Sequence, residues 1–265
     1  MRFCLKRTCL TLSLLLGTLS ACDESLIDPQ SADVSFDAVA DLGVRFSHAD
    51  SLAGAVVDAP GAGQGLYSDP ILATNGVYGG GEEAGSTDVY SLGFLPGEND
   101  YLVLGFDGRW AENGQGVDFV VFENAFRVRN GDGYFIDPVI VALSQDGMQW
   151  IDFPHDYVAP DETVYSNEPA DWPGFAGVSP VLLNESDPAS DPFDVDTAGG
   201  DQFNLDDLPN DGALGSAIRE GGFRYIRLTT AATQTNPDSG EPYPHDPVSN
   251  GPDIDGVHAR YLVEH

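Results

Sequence analysis

The stretches Asp118-Phe119-Val120-Val121-Phe122-Glu123-Asn124 and Val139-Ile140-Val141-Ala142-Leu143-Ser144 decide the fold. Each is a nearly unbroken apolar run of β-branched and aromatic residues, closed by polar ones. Runs this short suit strands whose two faces are both covered, rather than buried helices. Two central strands are therefore predicted. Outward from them, Tyr101-Leu102-Val103-Leu104-Gly105-Phe106 reads as a third strand. Phe223-Arg224-Tyr225-Ile226-Arg227-Leu228 reads as a fourth, its period of two sending Arg224 and Arg227 to opposite faces. His258-Ala259-Arg260-Tyr261-Leu262-Val263-Glu264 reads as the closing strand. From Phe36 onward Gly, Pro, Asn and Asp punctuate the chain at roughly 8–12-residue intervals, the rhythm of an all-β sandwich or barrel. Asp41 to Val57 is the segment that would hold a short helix. Ala159 to Asp196 and Thr233 to Pro252 are rich in turn-forming residues and are predicted to be long surface loops, the parts of a rigid sandwich that often carry function.

The first residues have a different character. Arg2, Lys6 and Arg7 precede an apolar run from Leu10 to Leu19, which ends in Leu19-Ser20-Ala21-Cys22. This is the pattern of a bacterial lipoprotein signal: a basic start, an apolar segment too short to span a bilayer, and small residues ahead of the cysteine that receives the lipid. Residues 1–21 are expected to be removed, Cys22 to carry the lipid, residues 22–35 to form a polar tether, and residues 36–265 to fold as one domain. The expected location is the cell envelope, with the lipid in the outer or inner membrane and the domain on the periplasmic or surface side. Cys4 and Cys9 leave with the signal, so no thiol remains for a disulfide. A domain of this size buries enough apolar surface without one.

The whole chain carries 43 acidic against 11 basic residues, a net charge of −32. Three of the basic residues lie ahead of Cys22 and none of the acidic ones does, so the processed chain would set eight arginines against 43 carboxylates. Such a field repels nucleic acid and anionic lipid and attracts divalent cations. Aspartates outnumber glutamates by 31 to 12, which suits turns and loop-borne cation sites; a solvated acidic surface adapted to salt accounts for most of them.

Two motifs carry a family resemblance. Ser144-Gln145-Asp146-Gly147-Met148-Gln149-Trp150 resembles the Ser-x-Asp-Gly-x-x-Trp turn of discoidin-like domains, in which Asp-Gly supplies a tight turn with positive φ at Gly and Trp packs back on the core. Phe223 to Leu228 resembles a late strand of the same galactose-binding-like fold. A second resemblance is to a loosely characterised group of bacterial exported cell surface proteins. It rests on Gly85-Ser86-Thr87-Asp88-Val89-Tyr90-Ser91-Leu92-Gly93, Leu104-Gly105-Phe106, Asp118 to Asn124, the Ser144 turn, Gly200-Asp201-Gln202-Phe203-Asn204-Leu205-Asp206-Asp207-Leu208 and Asp253-Ile254-Asp255-Gly256-Val257. The group commonly has Asp where this chain has Asn204. These resemblances imply a jelly-roll β-sandwich and an envelope address, and no reaction.

The residues offer three kinds of site. Glu123 and Asn124 end a strand, Asp253 and Asp255 are spaced to point one way from an extended segment, and Asp201, Asp206 and Asp207 form a third acidic loop. Calcium takes six to eight oxygens from several segments, so these seven residues are the expected ligands of a structural Ca²⁺, with Asp137 a lesser one; otherwise they cap turns and never meet. The Asp253 stretch is similar to the acidic strand entry that helps hold Ca²⁺ in some carbohydrate-binding jelly rolls. Asn130 to Phe135 has the look of an EF-hand loop, but Val128 and Val139 occupy the first and twelfth ligand positions, so a β-turn is expected there. Trp110, Trp172 and Tyr243 stand in polar, Gly/Pro-rich surroundings, where aromatic rings either stack on a ligand such as a sugar or pin loops to the sandwich; Trp150 is expected in the core. For catalysis, His48, His155, His245 and His258 have no metal-site spacing and no Gly-x-Ser-x-Gly elbow occurs. Gly79-Gly80-Gly81 opens no helix and is no phosphate cradle. The sequence thus points to an envelope-anchored, Ca²⁺-stabilised protein that binds a glycan or another surface ligand. An accessory protein of an uptake or receptor complex, with a protein partner, and a glycan-active hydrolase are the other readings.

Overall fold

The structure is a computed structural model, and it describes residues 50–265 except 64, 130, 132, 187–189, 210 and 211. The signal, Cys22, the tether and the start of the Asp41–Val57 segment lie outside the described residues. Where that segment enters them, Asp50 has 3₁₀ geometry and the chain becomes strand only from Ala55. In order the chain runs through β1 (Ala55–Asp58), β2 (Tyr90–Ser91), β3 (Tyr101–Gly105), β4 (Trp110–Ala111), β5 (Phe119–Glu123), β6 (Phe126–Arg127), β7 (Tyr134–Phe135), β8 (Val139–Ser144), β9 (Ile151–Asp152), β10 (Asp201–Phe203), β11 (Tyr225–Thr230), β12 (Asp253–Ala259) and β13 (Leu262–Val263). All pairings are antiparallel. One sheet has the order β1-β3-β11-β8-β9 and the other β10-β5-β12-β2; β4 with β13 and β6 with β7 form two small ribbons. The fold is an all-β sandwich with long loops.

The alternation of each strand explains the layering. In β11 Ile226 and Leu228 are buried while Tyr225, Arg227 and Thr229 are half-exposed. The inward residues of both sheets meet in one core, with Leu102 and Leu104, Val139, Val141 and Leu143, and Ile226 and Leu228 facing Phe119 and Val121, Phe203, and Ile254, Val257 and Ala259. Phe119 stacks on Phe203 at 5.0 Å and meets Phe153 and Phe223 edge-on at 5.5 and 5.3 Å. Burial of each such side chain contributes about 1.5–3 kcal/mol.

β5 and β8 are apolar on both faces because the long loops cover the outside. Val120 and Phe122 of β5 pack under Val181, Leu183 and Ala198. Ile140 of β8 belongs to a cluster with Tyr157, Trp172, Phe175 and Tyr243. The loops are therefore pinned rather than loose, and no strand forms within Ala159–Asp196 or Thr233–Pro252 among the described residues. Trp172 is 0% exposed, its Nε1 donating to the Ser166 carbonyl, and Tyr243 is 2% exposed. This corrects the expectation that their rings stand open to a ligand. Trp110 is half-buried, edge-on to His265 and under Arg224. Trp150 departs the other way: it is half-buried rather than core, with the Arg227 guanidinium 4.8 Å from its ring centre.

Three further details differ from the sequence pattern. The closing strand begins at Asp253 and breaks after Ala259, so β12 and β13 replace one continuous run. A nine-residue helix, Ala213–Gly221, is amphipathic but gives no start signal, because Gly212 stands at its N-cap and no side chain caps its first turn. The Ser144 turn forms as expected: Gly147 has φ 74°, Ser144 Oγ accepts from its amide at 2.8 Å, and Asp146 Oδ1 accepts from Met148 and Gln149. β6 pairs with β7, and Val128 N donates to the Gly133 carbonyl at 3.1 Å; residues 130 and 132 of the expected turn lie outside the described residues.

Candidate metal centre

Four strand ends come together at one end of the sandwich. β5 finishes at Glu123, β12 starts at Asp253, β10 starts at Asp201, and Asp137 stands two residues ahead of β8. Ile254 pairs with Glu123, and Asp201 pairs with Val121 one turn of the pleat back. Glu123 continues the inward-facing row of Phe119 and Val121, so its carboxyl enters the interior where the two sheets part. A pocket of 160 Å³ opens there, lined by Glu123, Asn124, Asp137, Ser249, Asn250 and Asp253 with Phe126 and Phe135 of the hairpin beside them.

The carboxyl groups are held in different ways. Glu123 is 3% exposed; its Oε1 accepts from Asp253 N at 2.9 Å, while its Oε2 is buried with no hydrogen-bond partner. Asp137 accepts from Ser249 Oγ at 2.7 Å and Asp253 from Ser91 Oγ. Asp201 Oδ2 accepts from the amides of Gly177 and Val178 at 2.7 and 3.1 Å. Gly177 has φ 79°, and a Cβ there would lie 2.3 Å from the Asp137 carbonyl oxygen and 3.3 Å from Glu123 Cγ, so this close approach requires glycine.

Burial pushes the Glu123 carboxyl well above the usual range, and the nearby Asp137, Asp253 and Asp201 add to it. Burial raises Asp137 to about 6, helped by Asp253 and Asp246, and raises Asp201 to about 6 despite the amides that favour its charge. Asp253 is raised by burial as well. No arginine is among the groups that shift these four. Carboxylates crowded out of water without a counter-charge either keep protons or take up a cation. Every donor here is an oxygen, which suits a hard cation. Among the described residues no group of three or more His, Cys, Asp or Glu side chains is arranged as a finished metal cage. A calcium shell at this pocket would accordingly draw also on amide, hydroxyl or main-chain oxygens.

The expected ligands divide. Glu123, Asp201 and Asp253 converge, and Asp137, expected only as a lesser ligand, is their closest electrostatic neighbour; its signal was an acid at a strand entry. Asn124 lines the pocket, but its amide is bonded to both main-chain groups of Ser86. Asp206 and Asp207 are exposed in a 3₁₀ turn, with Asp206 accepting from Asn113. Asp255 goes elsewhere. The register shifts between Ile254 and Gly256, and this bulge gives Asp255 different neighbours from Asp253. It is 0% exposed, accepts from Tyr78 N at 3.1 Å, leaves Oδ2 unpartnered, and is raised to about 8 by burial, with Asp88 and Glu185 adding to the rise. The expectation that residues 253 and 255 share one side is thus corrected.

One further arrangement was invisible in the sequence because its members are far apart. His258 Nδ1 lies 2.9 Å from Ser51 Oγ and its Nε2 lies 3.0 Å from Glu185 Oε1. The order of groups is that of a nucleophile relay, but the imidazole is 0% exposed and sits edge-on to Phe122, with no face open to a substrate. It ties β12 to the segment over the outer sheet face. No family model matches the chain, and no curated protein matches it significantly.

Proposed function

We propose that this chain is a lipid-anchored binding protein of the bacterial cell envelope, held by its lipid at Cys22, whose jelly-roll sandwich is closed at one end by a structural Ca²⁺ and which recognises a glycan or another surface ligand. The observation that carries the cation is the buried, unpartnered Glu123 Oε2 facing Asp137 and Asp253 with no cationic side chain among them. Glu123, Asp137 and Asp253 would hold the ion, and Asp201 would sit behind them, oriented by the Gly177 and Val178 amides. The ion would supply charge balance and tie two sheets and the Val248–Gly251 loop together. The envelope address rests on residues 1–22, and the binding role rests on long loops pinned as rigid walls around open clefts.

Melting of the purified protein in chelator and in added Ca²⁺ tests the cation. A ligand that binds only the folded state raises the melting temperature, and Glu123→Gln removes the rise. Equal melts with and without Ca²⁺ would overturn the reading. Radiolabelled fatty acid incorporated into the wild type and absent from Cys22→Ser tests the anchor.

A further inference from the structure

The outer face of the five-stranded sheet carries a polar cleft of 400 Å³, to which the sequence pattern pointed only through Tyr243 and its loop. Its floor is Arg227 and Thr229 of β11 and Asp152 of β9, and its walls are His155, just after β9, with Gln234 and Tyr243 of the Thr233–Pro252 loop. The size lies within the usual range for small-molecule sites.

Arg227 distinguishes this cleft. Its guanidinium lies over Trp150 at 4.8 Å, and its Nη2 is 3.9 Å from Asp152 Oδ1, beyond hydrogen-bond range. Its Nε is buried without a partner, and none of its donors makes a hydrogen bond among the described residues. Arg109 and Arg219, by contrast, give their hydrogens to main-chain carbonyls. His155 Nδ1 is 2.7 Å from the Phe153 carbonyl, which only accepts, so Nε2 is left as an acceptor when the ring is neutral. The larger cleft beside Trp172, of 590 Å³, differs: its Asp201 and Gln202 are already bonded to main-chain groups.

An uncommitted fork of donors beside a carboxylate suits some ligands and not others. A free anion would meet Asp152 next to the arginine and a chain whose net charge is −32. A neutral ligand with adjacent hydroxyls meets a donor and an acceptor side by side, with the hydroxyl of Thr229, the amide of Gln234 and a ring wall around them. We infer that this cleft binds a neutral saccharide, one vicinal pair of hydroxyls spanning Arg227 and Asp152. The inference rests on the glycan-recognition reading above and gives it a place and a ligand class.

The test is binding of the purified protein to an array of neutral oligosaccharides and their uronate counterparts, followed by titration of the best neutral binder. Arg227→Met and Asp152→Asn are each expected to weaken binding about tenfold or more, the loss of one hydrogen bond to a charged group. Asp152 is exposed, so Asp152→Asn keeps the test open should Arg227→Met fold poorly. Wild-type glycan binding that both variants retain in full would overturn this site and leave glycan recognition standing. Preference for the uronates would overturn the neutral-ligand assignment. Absence of any saccharide binding by the folded wild type would overturn both the site and the glycan reading.

Discussion

Asp253 and Asp255 sit two residues apart on β12, yet one lines an open pocket with Glu123 and Asp137 while the other is shut away with Asp88 and Glu185. Both belong to crowded carboxylates that burial pushes toward the neutral form. What separates them is access. The Glu123 pocket has room and an opening beside the hairpin, so a cation can reach it. Asp255 is fully buried and has one main-chain amide for company. A single bulge in the strand thus sorts neighbouring acids of the same type into a binding group and an interior proton holder.

The largest expected effect is on the pH dependence of folding in chelator. Asp255 keeps its proton in the folded state to about pH 8, and Asp137 and Asp201 keep theirs to about 6, whereas the unfolded chain releases them near the ordinary aspartate value of about 3.9. The folded state therefore holds extra protons between those limits, and stability falls as pH rises from about 4 through 8, by several kcal/mol in all. Asp255→Asn, which keeps the acceptor for Tyr78 N, is expected to flatten the upper part of that fall, read from melting curves at pH 5 and 9. A wild-type melt that is level or climbs over this range would show that the two groups do not differ from solvated acids.

Next in size is the response to calcium. At a concentration 100 times its dissociation constant, Ca²⁺ is expected to add about 2.7 kcal/mol, or about 5–10 °C in a domain of this size. Glu123→Gln is expected to abolish the shift and Asp255→Asn to preserve it. Reversal of that pattern would place the cation at the closed group instead. Gly177→Ala comes third, at about 1–3 kcal/mol of destabilisation, since the new methyl meets the Asp137 carbonyl in a strained backbone region. It is also expected to blunt the calcium response, measured by the same melts. The smallest effect is Glu123→Gln in chelator, within about 0.5 kcal/mol, because burial and its acidic neighbours already favour the neutral form and glutamine has the same shape.

The sequence was most informative where burial is symmetric. β5 and β8 were legible because both faces are covered, which leaves an apolar run that no other element explains. The Ser144 turn was legible because its chemistry is local. The centre was legible only in part: Glu123, Asp201 and Asp253 advertise themselves as acids at strand ends, but Asp137 joins them through the β6–β7 hairpin, and Asp255 leaves through a register shift that depends on packing around Gly256. Trp172 and Tyr243 were misread for a related reason. Loops that cover the outer faces of sheets have no periodicity, so a buried anchor and an open ring look alike in a Pro- and Gly-rich stretch. Arg227 was hidden because its neighbours Trp150 and Asp152 reach it across β8 rather than along its own strand.

The outermost strands of both sheets are brief: β2 and β9 have two residues each, β10 has three, and the four-residue β1 is broken by a register irregularity. The long ladders of β3, β8, β11, β5 and β12 all lie between other strands. Neighbouring copies crowded together would find little exposed backbone on which to extend a shared ladder, so the molecule is guarded against fibre-like self-association by the shortness of its margins.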